Sequence, residues 1–257
     1  MQEAGFLEVL VTQIRKDHPT MSCRAMYHKL KPAHLGRDKF EKFCKDLGYS
    51  SKREKNMRRT TDSSGVIRFD NLLEQVVLTD INQAYASDIT YFDINDRFYY
   101  LTFIMDCYSR RILGYSVAER LTTEQTTLPA LIQAIHTRRK SLPPGVIFHS
   151  DGGGQFYDKE FLKITAQYRF ANSMCEFAYQ NGKAERLNGI IKNNYLKHMD
   201  CSTKSKLMKN LDRSVYLYNE QKPHKSLKYS TPIEFENKLH LQANTKHPVP
   251  VNGLRVK

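Results

Sequence analysis

The chain has 257 residues, with 40 lysines and arginines against 27 aspartates and glutamates, which gives a formal net charge of +13 at pH 7. Hydrophobic residues make up 40% of the chain, which excludes a chain that is disordered throughout. It has no apolar run long enough to cross a membrane, no signal segment, and no C-x-x-C pair among its five cysteines. We therefore expect a cytoplasmic protein without a membrane partner, a disulfide framework or a ribbon-type zinc site.

The charge is unevenly distributed along the chain. Residues 1–60 carry 14 basic and 7 acidic residues, residues 61–180 carry 11 and 14, and residues 181–257 carry 15 and 6. Basic residues alone are equally consistent with plain solubility. Two basic flanks around an acidic middle instead favour a polyanion that is held on both sides of a cation-binding site.

The first 50 residues predict three short helices. The first covers 6–17, the second ends before Pro32, and the third begins after Gly36. The first helix has these apolar residues at helical spacing: Phe6, Leu7, Leu10, Val11 and Ile14. The third presents basic residues that we predict to contact DNA: Arg37, Lys39, Lys42 and Lys45. The pattern favours a small all-α helix-turn-helix domain over residues 1–50, and three-helix packing without DNA contact is the alternative.

A polar, basic linker and connector is predicted over 51–82, followed by β-rich sequence. Strands are expected at 86–94, 98–108 and 111–118 as an antiparallel meander, and then at 146–149 and 169–173. Helices are expected at 123–140, before these last two strands, at 158–168, between them, and at 180–198 and 204–221, after them. In the first of these helices four residues are predicted to face inward: Leu128, Leu131, Ile132 and Ile135. This order predicts an α/β fold with a ribonuclease-H-like mixed sheet flanked by helices, with the core at 83–200 and a C-terminal helix and basic tail at 201–257.

Three carboxylates stand at positions that favour a metal site. Asp88 interrupts a strand, Asp151 follows a short apolar strand, and Glu185 lies early on a two-faced helix. Each alone is equally consistent with a surface, turn or helix-dipole residue. Together they suit a site, because a buried unpaired carboxylate costs several kcal/mol unless a cation is bound. The glycines 152–154 would let the backbone pass close to a phosphodiester.

Carboxylate oxygens without a set of His or Cys ligands suit Mg²⁺ or Mn²⁺. Two such ions can activate an attacking oxygen and stabilise a leaving one. Near them we predict DNA contacts from Gln155 and, on the helix of Glu185, from Asn188 and Lys192. Asp106 is interpreted as a structural residue that holds the turn at 109–110, and His149 as a packed strand residue.

Four segments together are similar to one known family. They are S-D-I-T-Y at 87–91, I-M-D-C-Y-S-R-R-I-L-G-Y at 104–115, H-S-D-G-G-G-Q-F at 149–156 and N-G-K-A-E-R-L-N-G-I-I-K-N-N-Y-L at 181–196. They resemble the DDE-type integrase catalytic core of retroviral integrases and bacterial transposases, above all the second-frame (OrfB) transposase of the insertion-sequence-three family. Segments 21–30 and 218–235 resemble that family's N-terminal helix-turn-helix and its C-terminal signature.

The resemblance implies that Asp88, Asp151 and Glu185 are the catalytic, metal-binding triad, with two Mg²⁺ or Mn²⁺ ions. It implies cleavage and strand transfer at the ends of an insertion sequence, association with the nucleoid, assembly as a homo-oligomer on DNA, and fusion to or assembly with an upstream-frame (OrfA) protein. Between Asp151 and Glu185 lie 33 residues, two fewer than is usual in the family. Two alternatives stay open: a purely hydrolytic nuclease of the same fold, and a DNA-binding relic that represses or competes.

The last segment of the resemblance has two interpretations. Tyr218, Asn219, Pro223 and His224 would either pack against the core or contact target DNA.

Overall fold

The structure is a computed structural model that describes residues 2–49, 69–175 and 178–246. Most of the predicted linker (residues 50–68) and most of the predicted basic tail (residues 247–257) lie outside the described residues, as do residues 176 and 177. No helix in the described part of the chain is both long enough and apolar enough to cross a bilayer.

The N-terminal unit consists of α1 (Gln2–Asp17), α2 (Cys23–Leu30) and α3 (Arg37–Asp46). Its core contains Val11, Met26 and Phe40, which are fully buried. The inward prediction for Phe6 is wrong, because this side chain is 67% exposed. At about 100° per residue, Phe6 lies roughly 100° around the helix from the centre of the buried face.

The catalytic-core region contains a five-stranded mixed sheet. Its strands are β1 (Ala84–Ile94), β2 (Arg97–Asp106), β3 (Ile112–Ala118), β4 (Ile147–Ser150) and β5 (Ala171–Met174). The order across the sheet is β3-β2-β1-β4-β5. The first three strands are antiparallel neighbours, and β1-β4 and β4-β5 are parallel pairs. The predicted meander and fold class are confirmed.

Helices cover both faces of this sheet. They are α4 (Thr127–Arg138), α5 (Lys159–Gln167), α6 (Gly182–Asn194), α7 (Lys204–Tyr216) and α8 (Pro232–Lys246). A hydrophobic core lies on each face of the sheet, and neighbouring residues of β2 contribute to both. Phe103 packs on the side of α6 and α7, and Ile104 packs on the side of α4 and α5. On α4 the inward prediction for Ile132 is wrong, since this residue is 44% exposed on the outer face.

Two predictions about the C-terminal helices need correction. The predicted helix at 180–198 is broken, because Tyr195 leaves helical geometry at φ −128° and ψ −71° and a 3₁₀ turn follows. The sequence pattern also did not predict α8. This helix begins with Pro232 and has a capping box, in which the Glu234 amide donates to Thr231 Oγ1 (3.2 Å) and the Thr231 amide donates to Glu234 Oε2 (2.9 Å).

The C-terminal segment at 218–224 packs against the core. The Asn219 amide nitrogen donates to Ile112 O and its amide oxygen accepts from Ile112 N, both at 2.9 Å, so the side chain pairs with β3 as a backbone would. Tyr218 and His224 are buried with their rings edge to face at 4.6 Å, and Pro223 is buried beside them. Of the two interpretations of these residues, the contacts support packing.

A buried ionic network joins α8 to the sheet. Glu236, which is 2% exposed, accepts from Arg138 Nη1 (2.9 Å), Arg111 Nη1 (2.7 Å) and Ser109 Oγ (2.6 Å). Beside it Asp106 Oδ1 accepts from the amides of residues 108 and 109, each at 2.9 Å, and Oδ2 accepts from the Asn82 amide at 2.8 Å. Asp106 therefore holds the β2–β3 turn, as predicted, and is not a metal ligand.

Removing the Glu236 carboxylate should destabilise the fold. Glu236→Ala leaves the buried Arg138 with only the more distant Asp106 as a counter-ion (Nη2–Oδ2 3.7 Å), which costs up to about 3–5 kcal/mol in the free energy of unfolding. The control is Glu220→Gln, at an exposed site nearby in sequence. Urea unfolding followed by circular dichroism measures both variants. Equal midpoints for the two would contradict a stabilising role of the network.

Candidate active site

The sheet brings Asp88 and Asp151 together. Ala86 of β1 pairs with His149 of β4 in parallel register, and each aspartate lies two residues further along its own strand direction. Side chains two residues apart share a face, so both carboxylates continue on the face of Ala86 and His149. On that face Ala86 packs with Ala184 of α6, which places the aspartates on the side of the sheet that α6 covers.

α6 lies along β1 and brings Glu185 to the same place. Asn181, just before the helix, donates to Ser87 O (2.9 Å), and Asn188 Nδ2 donates to Asp88 Oδ2 (2.8 Å). Lys192 Nζ donates to Thr90 Oγ1 (2.7 Å), one turn later. Glu185 lies between Asn181 and Asn188 on this helix face. All three predicted acids therefore meet where β4 ends beside the middle of β1.

The three carboxylates repel one another electrostatically. Burial raises the pKa of Asp88 to about 7, and the charges of Asp151 and Glu185 add to the rise. Burial also raises the pKa of Asp151, with a contribution from Glu185. The thiol of the adjacent Cys175 has its pKa raised to about 11 by burial and then by the same three acids. The site concentrates negative charge, and the charge of Lys192 offsets the rise in the pKa of Asp88 only in part.

This donor set fits a hard divalent cation. It consists of carboxylate oxygens, and a bound cation would lower the pKa of Asp88, which burial and then the charges of Asp151 and Glu185 raise. Within residues 2–49, 69–175 and 178–246, no group of three or more His, Cys, Asp or Glu side chains stands in an arrangement that could hold a metal ion.

The glycine loop after Asp151 leaves its carboxylate room. The Gly153 amide donates to Asp151 Oδ1 (3.1 Å). A Cβ at Gly153 would lie 3.1 Å from Asp151 Oδ1 and 3.3 Å from Gln155 Oε1, whereas a Cβ at Gly154 would meet open space. Gln155 is thus next to the Asp151 loop, where its amide donates to Leu121 O (3.1 Å).

The other predicted site residues fall into two groups. Asn188 (5% exposed) and Lys192 face β1 and hold it, so their amide and ammonium groups already have protein partners; DNA contact by them stays a prediction. The basic residues of α3 are exposed on the N-terminal unit, where Arg37 pairs with Asp38 at 2.9 Å and the others are Lys39, Lys42 and Lys45. Sequence reasoning did not find Asn181 as a contact to β1, although its one-turn spacing from Glu185 was a signal.

His149 is a packed strand residue, as predicted. Its Nδ1 is 2.9 Å from Ser173 Oγ, and burial lowers its pKa to about 4. The imidazole is therefore neutral at pH 7 and is held within the sheet.

Comparison with known proteins agrees with this geometry. Two models described as "Integrase core domain" match residues 79–179 and 169–232. A 31 kDa protein of insertion element IS600 from Shigella sonnei is 30% identical over 244 residues, which is 92% of this chain and 88% of that protein. The transposase of insertion sequence IS3A from Escherichia coli K12 is 34% identical over 106 residues, 41% of this chain and 36% of that one. The chain belongs to the insertion-sequence-three family of transposases.

A solved structure supports the fold of this transposase. The catalytic core domain of HTLV-2 integrase, in its trimeric form with magnesium, superposes with a TM-score of 0.50 at 24% identity. The match covers 60% of the transposase and 96% of the integrase core. The transposase therefore has an integrase-like, ribonuclease-H-like core.

The pKa of Asp88 makes the metal-free transposase less stable at high pH. A carboxyl whose folded-state pKa is raised contributes stability that is present below its unfolded pKa of about 3.9 and is lost as pH rises through about 7. In EDTA, Asp88→Asn should match the wild type at pH 4 and exceed it in melting temperature at pH 8. The control Asp93→Asn, exposed on the same strand, should follow the wild type at both pH values. A pH-independent difference between Asp88→Asn and wild type would refute this electrostatic account.

Proposed function

We propose that this transposase cleaves DNA at the ends of an insertion sequence and joins the freed 3′-hydroxyl to a phosphate of another DNA. The observation that carries the proposal is the meeting of Asp88, Asp151 and Glu185 at one edge of the sheet, in a chain of the insertion-sequence-three family. Membership of the family makes the chain a polynucleotidyl transferase, and we propose these three acids as its catalytic residues.

Asp88, Asp151 and Glu185 would hold Mg²⁺ or Mn²⁺, as two ions. Bound divalent ions supply activation of the attacking oxygen and stabilisation of the leaving oxygen in phosphoryl transfer. Water would be the nucleophile for cleavage and a DNA 3′-hydroxyl the nucleophile for joining. Neither step requires a nucleophilic side chain or a basic histidine, in keeping with a buried His149 whose pKa is about 4.

The surrounding residues support this role by fixing the carboxylates. Asn188 donates to Oδ2 of Asp88 at 2.8 Å, which fixes one oxygen of this carboxylate. The Gly153 amide holds Oδ1 of Asp151 in the same way. A carboxylate that already has one oxygen fixed loses less conformational freedom when it coordinates a metal ion.

The finer assignments also belong to the proposal. We propose residues 1–50 as a DNA-binding domain, 51–82 as its connector, 83–200 as the catalytic core and 201–257 as a C-terminal helix and tail. DNA is the predicted partner of the N-terminal domain, of the core and of the basic C-terminal tail. Assembly with the upstream-frame protein, a homo-oligomeric complex on DNA, and a nucleoid location in the cytoplasm remain predictions.

The test is strand transfer by a labelled, pre-cut element end into plasmid DNA with Mg²⁺. The full chain is assayed alone and with its upstream-frame protein. Asp88→Asn, Asp151→Asn and Glu185→Gln should each lower the rate at least about a hundredfold, because each removes a ligand of ions that supply several kcal/mol. Asp93→Asn, exposed on β1, is the matched control.

Each other outcome points to a rival function. Metal-dependent cleavage without joining would indicate a hydrolytic nuclease. DNA binding with neither reaction would indicate a relic. Strand transfer that survives in Glu185→Gln would refute the assignment of the third acid.

A further inference from the structure

A cavity of about 1200 Å³ lies between the N-terminal unit and the catalytic core. Its walls come from α2 and α3 on one side and from α6, the β2–β3 turn and the segment around 222–229 on the other. This volume exceeds the roughly 300–1,000 Å³ of pockets for small molecules. The cavity, called the interdomain cleft below, therefore has the size of a site for part of a macromolecule.

The interdomain cleft is lined by an excess of positive charge. In the described part of the chain, Glu41 is the one acidic residue of the lining, and it already pairs with Arg24 at 2.8 Å. The remaining cations of the lining form no ion pair with a carboxylate of the described residues; they are Lys45, Arg110, Lys183, Arg186, Lys222 and Lys225.

Within the described residues this charge crowds together. Burial, and then the charge of Arg186, lower the pKa of Lys222 to about 8. The neighbouring His224 has its pKa lowered to about 3 by burial and then by Lys222. Cations crowded in this way weaken the fold, and an anionic ligand would relieve the crowding, just as a metal ion would at the carboxylates.

The walls of the interdomain cleft are held apart in a defined position. His18 Nδ1 is 3.1 Å from the Tyr195 hydroxyl, and Lys29 Nζ donates to Gln221 O at 3.0 Å. The rings of His28 and Tyr229 stack with centroids 3.7 Å apart. These polar contacts bridge the two units and leave the space between them open, so the cleft is formed before any ligand enters.

α6 separates the interdomain cleft from the candidate active site. Lys183 and Arg186 of this helix line the cleft. Glu185, Asn188 and Lys192 lie on the face toward β1, which at about 100° per residue is the opposite face of the helix. A ligand bound in the cleft is therefore separated from the carboxylates by α6, whose diameter with side chains is about 10–12 Å.

We propose that the interdomain cleft binds the phosphodiester backbone of the DNA that the catalytic site acts on. This inference rests on the proposed function and assigns the DNA path to Arg186, Lys222 and their neighbours. A DNA strand carries regularly spaced charges that cations from five separate segments can contact in turn. The exposed α3 residues Arg37, Lys39 and Lys42 lie outside the lining, so the cleft is a second basic surface.

The test measures binding to a random-sequence DNA duplex over a salt series in EDTA. The cleft variant is Lys222→Gln with Arg186→Gln. The matched control, which removes the same charge from α5 and α7, is Lys159→Gln with Lys209→Gln, both at exposed positions. Each lost phosphate contact should lower the slope of log Kd against log salt by about one. For the cleft variant we expect the slope of log Kd against log salt to fall by about two and the affinity for DNA to fall on the order of tenfold. The slope and affinity of the control variant should stay near those of the wild type.

Stability measurements keep this test interpretable. Lys222→Gln removes a buried ammonium, so the melting temperature should be unchanged or higher. Should the double variant unfold, Lys183→Gln with Lys225→Gln tests the same cleft. Equal slopes for cleft and control variants, or no binding by the wild type, would overturn the proposal. The DNA-binding test is run without metal, so it does not depend on the catalytic site. If the cleft variant shows the expected loss of slope but the wild type fails in the strand-transfer assay, the result contradicts the catalytic proposal and leaves the cleft proposal standing.

Discussion

Mutual repulsion among three carboxylates is the constraint on which the rest of this structure depends. The parallel register of β1 and β4 sets Asp88 opposite Asp151, and α6 adds Glu185 to the same point. The cost is visible in the pKa of Asp88, which is raised to about 7. The molecule maintains this arrangement with contacts elsewhere, since α6 is fastened to β1 on either side of Glu185. A divalent cation converts the repulsion into binding energy.

The same logic extends to the positive charge. Asp106 and Glu236 are buried acids too, but each is satisfied, one by backbone amides and the other by arginines. The triad and the interdomain cleft are different, because in each of them several charges of the same sign stand close together. At both places the folded chain is less stable alone than with a ligand of opposite charge bound.

Local pattern was enough to predict much of this architecture. The β-rich meander, the acid within its first strand and the acid just after the short apolar strand could be found because strand periodicity and strand ends are local properties. The cap of α8 was local as well, in Thr231, Pro232 and Glu234, and was overlooked. Phe6 and Ile132 were wrongly predicted to face inward. The spacing of apolar residues shows how wide the apolar face of a helix is, but not which part of that face is covered by neighbouring elements. The contacts of Asn188 and Glu236 depend on elements about 100 residues away in sequence and could not be predicted.

The most direct test of the central claim is a crystal structure of the transposase soaked in Mn²⁺, with anomalous scattering to locate the metal. The account predicts two peaks about 3.5–4 Å apart, bound by oxygens of Asp88, Asp151 and Glu185. It also predicts that Asn188 stays bonded to Asp88 when metal binds. A metal site that leaves out Glu185, or no peak at the junction of β1, β4 and α6, would contradict it.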